Sequence, residues 1–459
     1  MSLISINPAT GEEIKAYSKH SSVEIGYILN KASQAQKSWC NTDLDFRILC
    51  LEQIAGILRD QAKEYAKLMA DEMGKPMPQG LGEVEKCAWL CEYYAEQAKS
   101  FLVDKEVNIP GQRSIISIQP IGLVLGIMPW NFPFWQVFRF AIPTITAGNG
   151  AILKHASNVQ GCAAAIEKCF IDSGFLENIF RNLAIPGEEV ADVIKDPSIA
   201  AVTLTGSTTT GKSVAETAGS VLKKTVLELG GSDPYVVLKD ADLVIAADAC
   251  VTGRTLNAGQ SCIGAKRIIV HDSVYDSFLT HLEEKLSAKI MGDPLDEVDM
   301  GPMVSASARN EIHNQVERSI ELGADLRMGG KIPNGPGFYY PITLLVDVKP
   351  GMASFDEEIF GPVFSVIKVK DEAEALSLAN QTLFGLGAAI FTGDKNKGEE
   401  IAKQHLHAGL CFVNDFVKSD PRLPFGGIKQ SGYGRELTSI GMMEFVNIKT
   451  VVVKNDYSL

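Results

Sequence analysis

The alternation of strands and helices from residue 121 onward constrains this chain most. IGLVLGIMP (121–129), AILKHA (151–156) and AAVTLTG (200–206) read as strands. Each precedes a segment of helical periodicity: WQVFRFAIPTITAG (135–148), NVQGCAAAIEKCFIDSG (158–174) and STTTGKSVAETAGSVLK (207–223). Runs that are apolar on both faces are buried on both, and helical crossovers bring successive strands parallel. A second series follows, with strands DPYVVL (233–238), KRIIVH (266–271), FSVIKV (364–369) and GAAIFTG (387–393). Its helices are 273–290, 307–323, 371–380 and 396–406. The fold class is therefore α/β, with two parallel-sheet α/β domains that divide near residues 225–235.

Upstream, residues 22–100 carry apolar residues three and four apart with few Gly or Pro, a helical pattern. LVDKEVNIPGQRSIISIQPIG reads as strand–turn–strand about Pro110-Gly111, and the β-branched tail EFVNIKTVVVKND can pair with another sheet edge. These make a small β element beside the two domains.

At 459 residues the chain exceeds what one core usually supports. Its net charge of −13 disfavours nucleic acid or an anionic membrane as partner. The N-terminal MSLISINPATGEEIKAYSKH shows no basic region ahead of an apolar core, and the longest apolar stretch, 121–130, is too short for a bilayer. Nine Cys without a CxxC pair suit reduced thiols, so a cytoplasmic location is expected. No metal-ligand spacing occurs among the seven His.

GSTTTGKS (206–213) fits the phosphate-binding pattern GxxxxGK[ST] between a strand and a helix. It supports a nucleoside-triphosphatase reading, against a Gly- and Thr-rich turn that matches by chance. Cys262 in NAGQSCIG, Glu228 in LELGGSDP, Glu358 in DEEIFGPV and Asn131 in MPWNFP are each chemically plausible. Singly, each is better explained as a buried thiol or a turn residue.

Together they resemble the aldehyde dehydrogenase superfamily. PWNFP, TGS with its downstream Gly, ELGGSDP, GQSC, EEIFGPV and PFGGIKQSG stand in that family's order and spacing, and the likeness runs from INPATGEEI to PFGGIKQSGYGRE. The resemblance implies a Rossmann-like cofactor domain (1–103 and 120–228) and a catalytic domain (229–424). It also implies an oligomerisation element (104–119 and 437–459) that makes a homodimer or homotetramer. By the same resemblance Cys262 is the nucleophile, Glu228 the general base and Asn131 an oxyanion donor. Trp130, Lys154, Ser157, Gly206, Ser207, Gly211, Glu358 and Phe360 fall at cofactor-binding positions. The triphosphatase reading then yields to a dinucleotide turn.

Three residues past Lys154, NAD-preferring members often carry a Glu, and this chain has Ser157. A hydroxyl does not repel a 2′-phosphate, so NADP or NAD is expected as cofactor. Arg139, eight residues after Asn131, matches an Arg that binds the substrate carboxylate in the succinate-semialdehyde dehydrogenases of this family. Their second such Arg corresponds to Leu256, and their regulatory Cys to Gly264. Ser419 is a further candidate contact. The short N-terminus and KHASN followed by VQGC look like the bacterial short-form branch. Oxidation of succinate semialdehyde to succinate is expected, with a broad aliphatic aldehyde dehydrogenase as the alternative.

Overall fold

The computed structural model describes residues 3–454. The last five residues assigned above to the oligomerisation element, and the first two of the cofactor domain, lie outside the described residues.

Two large sheets dominate. The first runs in the spatial order Gly432–Tyr433, Lys224–Glu228, Ile199–Thr205, Leu123–Met128, Gly150–His155, Phe180–Asn182. All its pairings are parallel except that of Gly432–Tyr433, which closes one edge antiparallel to Lys224–Glu228. The second orders Asp325–Met328, Thr343–Val346, Val363–Val369, Ala265–His271, Asp233–Val237, Gly387–Phe391, Leu410–Val413, and only Asp325–Met328 is antiparallel. Buried Val, Ile and Leu on both faces of Leu123–Met128 and Val363–Val369 make these strands central.

Four N-terminal helices, Ser22–Trp39, Leu44–Asp60, Ala62–Met73 and Met77–Leu102, fill the stretch read as helical. A Ser21/Glu24 capping box starts the first. Helix Trp135–Thr146 is buried along its whole length. The tail Val446–Lys454 pairs residue by residue with Gln112–Pro120, which in turn pairs with Lys105–Ile109.

Several elements escaped the sequence. The hairpin Leu3–Ile6/Glu13–Tyr17 is short and its second strand largely exposed, so it lacks an apolar run. Lys224–Glu228 ends directly in Leu229-Gly230-Gly231 and reads as part of a turn. Helix Leu243–Thr255 buries small residues on several sides and so has no single apolar stripe. Gly432–Tyr433 forms only because the chain returns from the second sheet to the first.

Candidate active site

The carboxyl ends of three adjacent parallel strands face one region, where open α/β sheets bind ligands. Leu123–Met128 runs into Pro129-Trp130-Asn131, Ile199–Thr205 into Gly206-Ser207, and Lys224–Glu228 into Leu229-Gly230. These residues line a cavity of about 420 Å³ together with Cys262, Glu358 and Phe360. A second cavity of about 250 Å³ lies on the other side of Cys262, lined among others by Phe132, Trp135, Arg139, Leu256 and Ser419. Cys262 borders both. A ligand in either space therefore meets the same residue.

The turn before Cys262 is held in an uncommon conformation. Asn257, Ala258 and Gly259 take φ values of 55°, 53° and 72°. Left-handed geometry at two non-glycine residues costs of order 1–3 kcal/mol each, so the surroundings must impose it. They do so through buried contacts: Asn257 Nδ2 donates to the Asn131 and Gln260 carbonyls at 2.8 and 3.1 Å. At Gly259 a Cβ would collide with the Gly361 backbone.

Asn131 sits 3 % exposed opposite this turn. Its Nδ2 donates to the Gln260 carbonyl at 3.0 Å, and its Oδ1 is buried without a partner. One of its two amide hydrogens is thus engaged and one remains available. Lys266, absent from the sequence-derived set, donates to the Cys262 carbonyl at 2.7 Å and to Glu358 Oε1 at 2.9 Å. The Gly231 N–H donates to the same Glu358 oxygen at 3.0 Å. Trp130 and Phe360 meet edge to face with centroids 5.9 Å apart. Although the cavities leave Cys262 partly exposed, the dense surroundings push its thiol up to about 12, against the pull of Lys266 and Arg139.

Glu228 stands apart from the cavity surface. Both carboxyl oxygens are buried without a hydrogen-bond partner, and Oε1 faces Gly426, where a Cβ would lie 2.7 Å away. Burial, and then the neighbouring Glu436, hold its pKa well above the usual carboxylate range.

Arg139 lines the smaller cavity, but it is not a free cation. Its guanidinium is ion-paired with buried Glu436 and lies over the Phe425 ring at 4.4 Å. Ser419 is engaged too: its Oγ accepts from Lys86 Nζ at 2.7 Å.

Lys154 and Ser157 sit at the end of Gly150–His155 and border neither cavity. Ser207 caps helix Thr208–Ser220, its Oγ accepting from Thr210 N–H at 3.2 Å. Gly211 lets that helix pack on Leu229. Lys212, which a triphosphatase would aim at phosphate, is exposed and borders neither cavity.

Below Asn131 lies a buried ion pair that sequence patterning could not reveal. Lys75 pairs with Glu83 and donates to the Asn131 carbonyl at 2.9 Å. Glu83 Oε1 accepts from the Phe134 and Trp135 N–H groups at 2.9 Å each. It thereby neutralises the start of helix Trp135–Thr146.

The sequence profile described as "Aldehyde dehydrogenase family" matches residues 2–451. The chain belongs to the aldehyde dehydrogenase family. A probable succinate-semialdehyde dehydrogenase [NADP(+)] of Synechocystis sp. is 46% identical over 452 residues, covering 98% of this chain and 99% of that protein. A succinate semialdehyde dehydrogenase [NAD(P)+] of Escherichia coli is 44% identical over 449 residues, with 98% and 97% covered. The succinic semialdehyde dehydrogenase of Streptococcus pyogenes, solved with NADP+, superposes with a TM-score of 0.96 at 36% identity, covering 98% of this chain and all of that one. The α/β fold with two parallel-sheet domains is thus that of an aldehyde dehydrogenase. No helix among the described residues is long and apolar enough to cross a membrane.

Proposed function

We propose that this chain oxidises succinate semialdehyde to succinate with NADP or NAD. The observation that carries the proposal is the position of Cys262 between two cavities, one edged by a helix N-terminus and the other by cationic and hydroxyl groups. Relatives similar over nearly the full length are named for this reaction.

The larger cavity fits a dinucleotide. Gly206, whose own N–H donates to the Glu228 carbonyl at 3.0 Å, leads into the N-terminus of helix Thr208–Ser220, and that helix end would face a pyrophosphate. At Gly230 a Cβ would strike the Glu358 carboxylate, so only glycine permits close approach there. Glu358 and Phe360 would hold the nicotinamide end, with Trp130 beside them. Lys154 and Ser157 would hold the adenosine ribose, and Ser157 carries no charge to repel a 2′-phosphate. When bound, the cofactor supplies the acceptor for a hydride.

The chain's own groups do the rest. The Cys262 thiol gives its proton to water in the cavity, and the thiolate adds to the aldehyde carbon and makes a tetrahedral centre. Its negative oxygen is held by the free Asn131 amide hydrogen and the Cys262 N–H. The thioester that follows is cleaved by a water from which Glu228 takes a proton. For this Glu228 must first ionise and turn from Gly426 toward the cavity. The larger parallel sheet (229–424) would carry the nucleophile, and residues 1–103 and 120–228 the cofactor.

The three-stranded sheet of 104–119 and the tail would build a dimer or tetramer. All nine Cys are free thiols, in keeping with a cytoplasmic setting. Leu256, bordering the substrate cavity, favours a second reading, a broad aliphatic aldehyde dehydrogenase.

A panel of linear aldehydes and ω-carboxy aldehydes, run with each cofactor, tests this. Succinate semialdehyde should give a kcat/KM at least about tenfold above butyraldehyde, the worth of one charge-assisted contact. Cys262→Ala should abolish reduced-cofactor production with both. A wild-type preference for butyraldehyde would establish the broad reading instead.

A further inference from the structure

Three cations border the cavity opposite the cofactor side of Cys262: Lys86, Arg139 and Lys418. Arg139 is ion-paired with Glu436, and Lys418 with Asp415 at 2.6 Å. Among the described residues, Lys86 has no carboxylate within ion-pairing distance. Its ammonium is fixed nonetheless. It lies over the Trp135 ring at 4.5 Å and donates to Ser419 Oγ at 2.7 Å. An ammonium has three hydrogens, so Lys86 keeps donors to spare, and Trp135 and Ser419 border the same cavity.

A carboxylated substrate brings a charge that needs a desolvated cation not already neutralised. Arg139 meets that condition only in part: its charge is matched by Glu436, although its Nη2 has no hydrogen-bond partner among the described residues. The position that supplies a second Arg in related enzymes is Leu256. The geometry points to Lys86, steadied by Ser419 and Trp135, as the group that binds the distal carboxylate of an ω-carboxy aldehyde while its carbonyl lies at Cys262. This assignment rests on the semialdehyde reading above.

The surroundings also set the charge of Lys86. Burial, and then Arg139 on helix Trp135–Thr146, push it down to about 8, against Cys87 and Glu83 on its own helix and Asp420 in the loop beyond Ser419. Below that pH the ammonium is charged and binds the carboxylate. Above it the positive charge is lost.

The test compares kcat/KM for succinate semialdehyde and butyraldehyde in the wild type, Lys86→Gln, Lys86→Met and Lys86→Arg. The ratio of the two should fall about 10- to 100-fold in Lys86→Gln and Lys86→Met and recover in Lys86→Arg. In the wild type the same ratio should decline as pH rises through about 8, and in Lys86→Arg that decline should disappear. A wild-type ratio near unity would defeat the semialdehyde reading itself. A high wild-type ratio that survives both neutral substitutions, or that does not change with pH, would overturn the Lys86 assignment alone. The pH series needs no substitution, so it decides even if a variant misfolds.

Discussion

Glu228 is the residue whose structure most changes its chemistry. The family resemblance implies a base, yet here burial and the neighbouring Glu436 raise its pKa, and neither carboxyl oxygen has a hydrogen-bond partner among the described residues. A carboxyl with a raised pKa gains its negative charge only as pH climbs past the ordinary carboxylate range. Thioester hydrolysis should therefore rise with pH along one ionisation above that range. Glu228→Gln should cut steady turnover by about 10²–10⁴-fold, the usual worth of general-base catalysis. It should leave a burst of one equivalent of reduced cofactor per site, seen by stopped-flow absorbance. Loss of the burst along with turnover would place Glu228 in the first chemical step instead.

At the scale of elements, the strand ends that carry the site depend on a buried ion pair remote in sequence. Lys75 and Glu83 join the start of helix Met77–Leu102 to the Asn131 turn and the first turn of helix Trp135–Thr146. Removing one partner of such a pair leaves an uncompensated buried charge, at about 3–5 kcal/mol. Glu83→Gln should lower stability by that amount, read as a shift in urea midpoint. Lys75→Met/Glu83→Gln should recover part of the loss, since no charge is then stranded. Strict additivity of the two changes would show that the pair is not coupled.

This dependence explains what the sequence could and could not show about the elements. Strands with apolar residues on both faces, such as Leu123–Met128 and Val363–Val369, announce themselves by burial alone. The sequence also placed the turn at Pro110-Gly111 between Lys105–Ile109 and Gln112–Pro120. Lys75, Glu83, Lys86 and Lys266 gave no local signal. Each lies in an ordinary helical or strand pattern, and its partner is a backbone group or side chain fixed only by the fold.

At the scale of the whole molecule, the nine-residue strand Val446–Lys454 lies on the edge of the three-stranded sheet. Ile448, Val452 and Val453 on it are at least half exposed, and Val107 and Ile109 on the far strand are exposed to a lesser degree. A long apolar edge is a surface that proteins usually cover. Ile448→Lys, in the middle of that strand, should shift the protein toward monomer in sedimentation velocity, with its secondary structure unchanged by circular dichroism. An unchanged sedimentation coefficient would mean that this edge joins no second copy of the chain.

The sequence by itself determined the α/β class and the family, because periodicity and short motifs are local and the chain writes them directly. It also determined a net charge of −13, which requires any anionic substrate to meet a cation at the site. Only the tertiary structure decided which cation is free. Arg139 and Glu436 are far apart in the chain and meet when Phe425–Glu436 folds back over helix Trp135–Thr146. Among the described residues, the fold brings Lys86 a ring and a hydroxyl, not a carboxylate. Ionisation and pairing depend on burial and on distances between remote segments, and those exist only once the chain has packed.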